Sequence, residues 1–183
     1  GGSHKSEVED ELIYVRKNLV PILDAYKVDL VVTGHAHGYE RSRLMRDHYT
    51  ASTDFVSATH NPVLTSNAQD NARYDGTPNS CFYYKNSAAA KNEGIVYAVN
   101  GGGGRGPEPD PNNNFRNRPL VGKLMAASYL SGGGSMYIEV ENKRLTAKFV
   151  AANKQILDQF SIFKDLDGFT VPETDNTIRT AIC

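Results

Sequence analysis

Tryptophan is absent from this 183-residue sequence, methionine occurs three times, and cysteine twice. Without Trp, the aromatic character rests on 10 Tyr and 7 Phe, which favours amphipathic faces over one dense aromatic core. Neither charge sign dominates: 20 basic residues face 21 acidic ones, for a formal net charge of −1. A basic footprint for nucleic acid or an anionic membrane surface is therefore missing. No apolar run approaches the roughly 20 residues that a membrane-spanning helix needs. The two cysteines, Cys81 and Cys183, permit one disulfide, but their spacing carries no framework signature, and unpaired thiols are the expectation. No charged segment followed by an apolar stretch opens the chain, so no signal peptide is visible. What is present, 39% hydrophobic residues over this length, suits one globular domain with its own core.

The first periodic segment predicts a helix. Ser6-Glu7-Val8-Glu9 reads as a capping box, and Leu12, Val15, Leu19, Leu23 and Tyr26 recur at spacings of three and four. Pro21 interrupts the pattern and is expected to kink or divide the helix. Val28-Asp29-Leu30-Val31-Val32-Thr33 follows as a short β-branched run, the pattern of a strand buried on both faces. Residues 46–92 turn polar and read mostly as long loop, with Phe82-Tyr83-Tyr84 a short strand fragment. Ile95-Val96-Tyr97-Ala98-Val99 predicts a buried strand that runs into Gly101-Gly102-Gly103-Gly104. Two alternating runs flank Glu141-Asn142-Lys143-Arg144 as a tight hairpin, and residues 156–164 supply a third strand with Ile156, Phe160 and Ile162 inward. Residues 1–165 form the domain and 166–183 a tail or linker.

The chemistry concentrates at Gly34-His35-Ala36-His37-Gly38. Two imidazoles at i and i+2 just past a strand can point to one side or serve two neighbouring ions, and Gly34 and Gly38 let the backbone bend around them. By itself, such a pair is more often two histidines of a surface turn. Asp29 lies at the far end of its strand, about 20 Å from His35 at strand rise, too far to share an ion. His48 and His60 have no partner motif and read as surface residues. Gly101 to Gly104 lacks the spacing and the following helix of phosphate-binding loops, and reads as a flexible loop near the rim.

The longer string Asp29-Leu30-Val31-Val32-Thr33-Gly34-His35-Ala36-His37-Gly38-Tyr39-Glu40-Arg41-Ser42 resembles the final motif block of purple acid phosphatases and related calcineurin-like metallophosphoesterases, in which a buried strand leads into G-H-x-H-x-Y-E-R. The upstream helix, the strand running into a glycine-rich loop and the closing hairpin are similar too. The resemblance implies an α/β (α+β) fold, the C-terminal half of a four-layer α/β/β/α metallophosphoesterase sandwich. It implies two metal ions in the complete protein, Fe with Zn, Mn or Fe, with His35 on the divalent ion and His37 on its neighbour. The metals would polarise a phosphate ester and activate a water. His4 stands where the family places a histidine that contacts substrate or leaving group; a terminal residue of a linker or tag is the equally weighted alternative. Tyr39, Glu40 and Arg41 are expected to hold the loop rather than touch phosphate.

The family's D-x-G, G-D-x-x-Y and G-N-H-[DE] blocks and its upstream histidine are missing from this sequence. The resemblance therefore implies a chain that is inactive alone and partnered by the missing N-terminal half of the domain. Its implied substrate is a phosphate-ester small molecule, with no nucleic acid and no membrane span, and family habit favours a secreted or periplasmic location. The alternative is a non-catalytic β-rich binding or structural module that keeps the strand–histidine loop.

Overall fold

The computed structural model describes residues 7–61, 73, 80–104, 124–130, 132–165 and 181–182. The chain opens with α1 (Asp10–Tyr14), a π-helical stretch (Val15–Leu19) and α2 (Val20–Ala25), with Pro21 at the start of α2. Pro21 divides the helix as its sequence predicts. Its ring lacks an N–H and crowds the carbonyl four residues back, and the ladder upstream widens so that the Val20 N–H reaches the Val15 carbonyl. The N-terminus differs from expectation. The helix starts at Asp10 with Glu9 as an extended N-cap lacking a side-chain cap, and Ser6 lies outside the described residues. Glu7 instead accepts from the Ser52 N–H at 3.0 Å, tying the helix start to a later loop. At the other end Lys27 takes φ 54, and the Val28 N–H reaches the Leu23 carbonyl at 3.1 Å, the bonding of a Schellman cap without its usual glycine.

Nine strands form two mixed sheets among the described residues. β1 (Leu30–Thr33), β2 (Tyr39–Ser42), β4 (Val96–Asn100) and β5 (Met125–Tyr129) make the first, in the order β1-β4-β2-β5. Only β1 and β4 are parallel here. β3 (Cys81–Lys85), β6 (Gly134–Glu141), β7 (Arg144–Ala151), β8 (Ile156–Lys164) and β9 (Ala181–Ile182) make the second, in the order β6-β7-β8-β3-β9. β6 and β7 form the predicted hairpin, with Asn142 at φ 51 in its turn. β3 is a fully integrated strand, parallel to both β8 and β9.

The core lies between the sheets. Val96 and Leu44 meet Tyr83, Ala147, Phe160 and Ile162, and Tyr39 stacks on Phe149 with centroids 4.2 Å apart. Ile156 departs from the expected inward set: it is 50% exposed, because a bulge at Phe149/Val150 shifts the register at that end of β8. β1 departs as well. It is an edge strand with Val32 45% exposed, rather than a strand covered on both sides.

Two polar clamps join the sheets. Asp29 bridges Lys85 at 2.8 Å and Lys164 at 2.7 Å, and Lys85 also donates to the Gly94 carbonyl at 2.7 Å. The second clamp centres on Asp158, described below. Outside the first sheet, the buried carboxylate of Asp24 accepts from the Asp47 N–H at 2.8 Å, the Tyr49 hydroxyl at 2.6 Å and the Asn92 amide at 2.6 Å. These bonds fasten the helix to two loops. Cys81 is buried and disulfide-bonded, correcting the expectation of an unpaired thiol. Cys183, the sequence's other cysteine, lies outside the described residues.

His48 and His60 are not the separate surface residues their sequence context suggests. Their rings lie 4.9 Å apart and both pack on Phe55, while His60 Nδ1 accepts from the Val56 N–H at 2.9 Å. Burial, followed by the nearby His60 and Arg16, holds His48 below the usual imidazole range against the opposing pull of Asp54 and Glu7. A depressed histidine contributes stability in full above its unfolded value of about 6.5, and loses it as pH falls toward the folded value. Melting between pH 7.5 and pH 5 is therefore expected to show an acid-side loss that His48→Gln reduces. An identical pH dependence in that variant would refute the assignment.

Candidate metal centre

The histidine loop is built by the strand order. β1 and β2 follow each other in sequence, yet β4 lies between them, so residues 34–38 must cross over the end of β4. The crossing lands at the C-terminal edge of the parallel pair, the edge where open α/β sheets usually bind ligands. His35 is exposed and His37 half-buried.

Asn100 and Gly101 form the floor beneath the loop. Asn100 ends β4 opposite Tyr39, and the Gly101 N–H donates to the Gly38 carbonyl at 3.0 Å. A Cβ on Gly101 would lie 2.0 Å from the Ala36 carbonyl oxygen, so the absent side chain lets two backbones touch. Residues 132–134 close against the same floor: a Cβ on Gly133 would lie 2.6 Å from the Gly102 carbonyl oxygen. The described glycines 101–104 therefore do not form the flexible rim loop expected from sequence. Their inner members are packed against two other segments, and Arg105 lies outside the described residues.

The bend itself also corrects an expectation. Gly34 stands in open space, while His35 takes the left-handed conformation at φ 70. Such a conformation costs a non-glycine residue on the order of 1 kcal/mol and persists where the surroundings impose it. Gly38 serves by its size, since a Cβ there would come within 2.5 Å of the Leu130 side chain.

After the loop, β2 alternates its side chains between the two faces of the sheet. Tyr39 and Arg41 turn toward the second sheet, where both meet Asp158 of β8. The Tyr39 hydroxyl donates to Oδ2 at 2.7 Å, Arg41 Nε donates to Oδ2 at 2.7 Å, and the Arg41 terminal nitrogen donates to Oδ1 at 3.0 Å. Arg41 is 0% exposed and lies 4.6 Å over the Phe160 ring. Burial and the Asp158 charge push the Tyr39 phenol far above its usual range, so it stays protonated and donating. Burial works against ionised Asp158, but Arg41 and the hydrogen bonds of Arg41 and Tyr39 prevail and hold its carboxyl below the ordinary carboxylate range. Glu40, on the opposite face of β2, is 2% exposed. Tyr39 and Arg41 thus anchor β2 inside the protein, with Glu40 buried on its other face. Sequence reading missed Asp158; the available signal was an acidic residue within an apolar strand.

Asp29 is engaged with Lys85 and Lys164 at the opposite end of β1 from the histidines. His4 lies outside the described residues. Among the described residues, no three His, Cys, Asp or Glu side chains form a metal-holding group. Two neutral imidazoles on a constrained loop suit a borderline divalent ion and supply two of the roughly four donors that zinc takes. The fit is that of a half-shell. Also among the described residues, no helix is long and apolar enough to cross a membrane.

No protein-family model matches the sequence, and no curated protein matches it. Among solved structures, the chain is similar to a purple acid phosphatase isolated from yellow lupin (Lupinus luteus) seeds. The identity is 19% and the TM-score 0.49, over 81% of this chain and 20% of that one. The chain spans about a fifth of the length of that phosphatase.

Proposed function

We propose that this chain carries the closing ligand segment of a two-metal phosphoester hydrolase, with His35 and His37 as ligands to neighbouring ions. The observation that carries the reading is the G-H-x-H-x-Y-E-R string seated across the end of β4, its histidines held above a glycine floor and its Tyr and Arg locked into the second sheet. In this reading the chain is the C-terminal half of a four-layer α/β/β/α sandwich. An N-terminal half supplies the remaining ligands, and the substrate is a small phosphate ester. The strained backbone at His35 and the buried anchor at Arg41 fix where the imidazoles stand, which is what ligand residues require. When bound, the metal pair supplies Lewis acidity and an activated water. A disulfide at Cys81 agrees with a secreted or periplasmic location.

The test is Zn²⁺ titration of the chain by calorimetry in a His48→Gln background, which removes half of the other imidazole pair. His35→Ala and His37→Ala are each expected to weaken binding by more than the about 10–100-fold that an outer-shell partner is worth. The unaltered chain alone is expected to show no chelator-sensitive turnover of p-nitrophenyl phosphate. Zn²⁺ affinity untouched when His35 and His37 are both replaced by Ala would refute the metal reading. Chelator-sensitive turnover would show that this chain needs no N-terminal half.

A further inference from the structure

We propose that Asn100 is a positioning residue for His37, its side-chain carbonyl accepting the imidazole N–H left over when the other ring nitrogen holds a metal. The inference rests on the metal reading above and extends it to a residue outside the recognised motif. Asn100 is the last residue of β4, level with Tyr39 across β2, and the histidine loop passes over this point. Val96 and Ala98 of the same strand are buried, and Val96 joins the inter-sheet core; alternation places Asn100 on that inner face with them.

Asn100 Oδ1 is buried and has no hydrogen-bond partner. Native proteins seldom keep a buried acceptor without a donor, and an exception calls for an explanation. A metal-ligating histidine almost always donates its second N–H to a carboxylate or carbonyl oxygen, which fixes tautomer and ring orientation. The floor of this loop thus offers an acceptor without a donor, and the loop above it carries imidazoles whose metal-bound form needs an acceptor. His37 is the half-buried member of the pair and lies two residues from Asn100's register partner, whereas His35 is exposed on the β1 side.

Two variants separate this role from simple packing. Asn100→Leu removes the acceptor and Asn100→Asp strengthens it. On the 183-residue chain in the same His48→Gln background, Zn²⁺ calorimetry is expected to show about 10–100-fold weaker binding for Asn100→Leu. Equal or tighter binding is expected for Asn100→Asp. In the metal-free chain, Asn100→Leu should melt no lower than wild type, since an orphaned acceptor has been removed. Long-range ¹H–¹⁵N spectra of the zinc-bound protein should show His37 in one tautomer in wild type and a mixture in Asn100→Leu, a change that a packing role would not produce. Wild-type affinity in Asn100→Leu, together with loss in His37→Ala, would overturn the role of Asn100 alone. Weaker binding in Asn100→Asp would overturn it equally, including where Asn100→Leu does not fold. Unchanged affinity in His37→Ala would overturn the metal reading, and this inference with it.

Discussion

Asp158→Ala is expected to destabilise the protein by about 3–5 kcal/mol, the range seen when one member of a buried ion pair is removed. The substitution leaves the Arg41 guanidinium, 0% exposed, without its carboxylate, and takes the acceptor from the Tyr39 hydroxyl. An uncompensated buried charge is far more destabilising than the intact pair is stabilising. Typical domains have a total stability of only about 5–15 kcal/mol, so this one change consumes a large fraction of it. The measurement is urea unfolding: the midpoint should fall while the slope stays constant. Replacing the three polar groups together, with Tyr39→Phe, Arg41→Met and Asp158→Leu, should recover much of the loss, because the variant then leaves neither the Arg41 charge nor the Tyr39 hydroxyl in place of the clamp. A loss under about 1 kcal/mol for Asp158→Ala would refute the clamp. The pair also predicts acid lability. Asp158 has a folded pKa below its unfolded value near 3.8, so its contribution is complete above that value and disappears as pH falls through the folded one.

Gly101→Ala is the second large effect. Its Cβ would meet the Ala36 carbonyl at 2.0 Å for the oxygen and 2.8 Å for the carbon, backbone atoms that cannot swing aside as a side-chain tip would. Overpacking of this kind costs about 1–3 kcal/mol. For a domain of this size that corresponds to about 2–4 °C of melting temperature per kcal/mol. The clash falls between His35 and His37, so relief by moving the loop displaces both imidazoles, and Zn²⁺ affinity should fall together with stability. Gly104→Ala is the matched control: nothing among the described residues lies within 4 Å of its Cβ. Equal behaviour of the two variants would show that the floor does not constrain the loop.

Much of the fold is legible in the sequence because its signals are local. The helix is written in three- and four-residue spacing, its division in Pro21, and the β6–β7 hairpin in two alternating runs around Asn142-Lys143. The position of the histidines just past a strand is legible for the same reason. The pairing of β3 with β8 is not, since it joins residues distant in sequence and no single residue type marks it. Asp158 does not stand out because its partners, Tyr39 and Arg41, sit on another sheet. Gly101 reads locally as one member of a flexible run, and only the crossing of residues 34–38 over β4 reveals why a side chain is excluded there. His48 and His60 likewise become a pair only when the loop between them folds back.

The insertion of β4 between β1 and β2 also bears on how the protein acquires its shape in time. The two strands flanking the histidines cannot pair with each other; they wait, about 10 Å apart at two strand spacings, for a segment made much later in the chain. Closing so long an intervening stretch must precede any contact that rewards it, which makes this the slow kind of step. The histidine loop therefore reaches its final geometry when the first sheet is completed and not before. A nascent or partly unfolded chain would hold two histidines in a disordered tether, with little power to capture a metal ion prematurely.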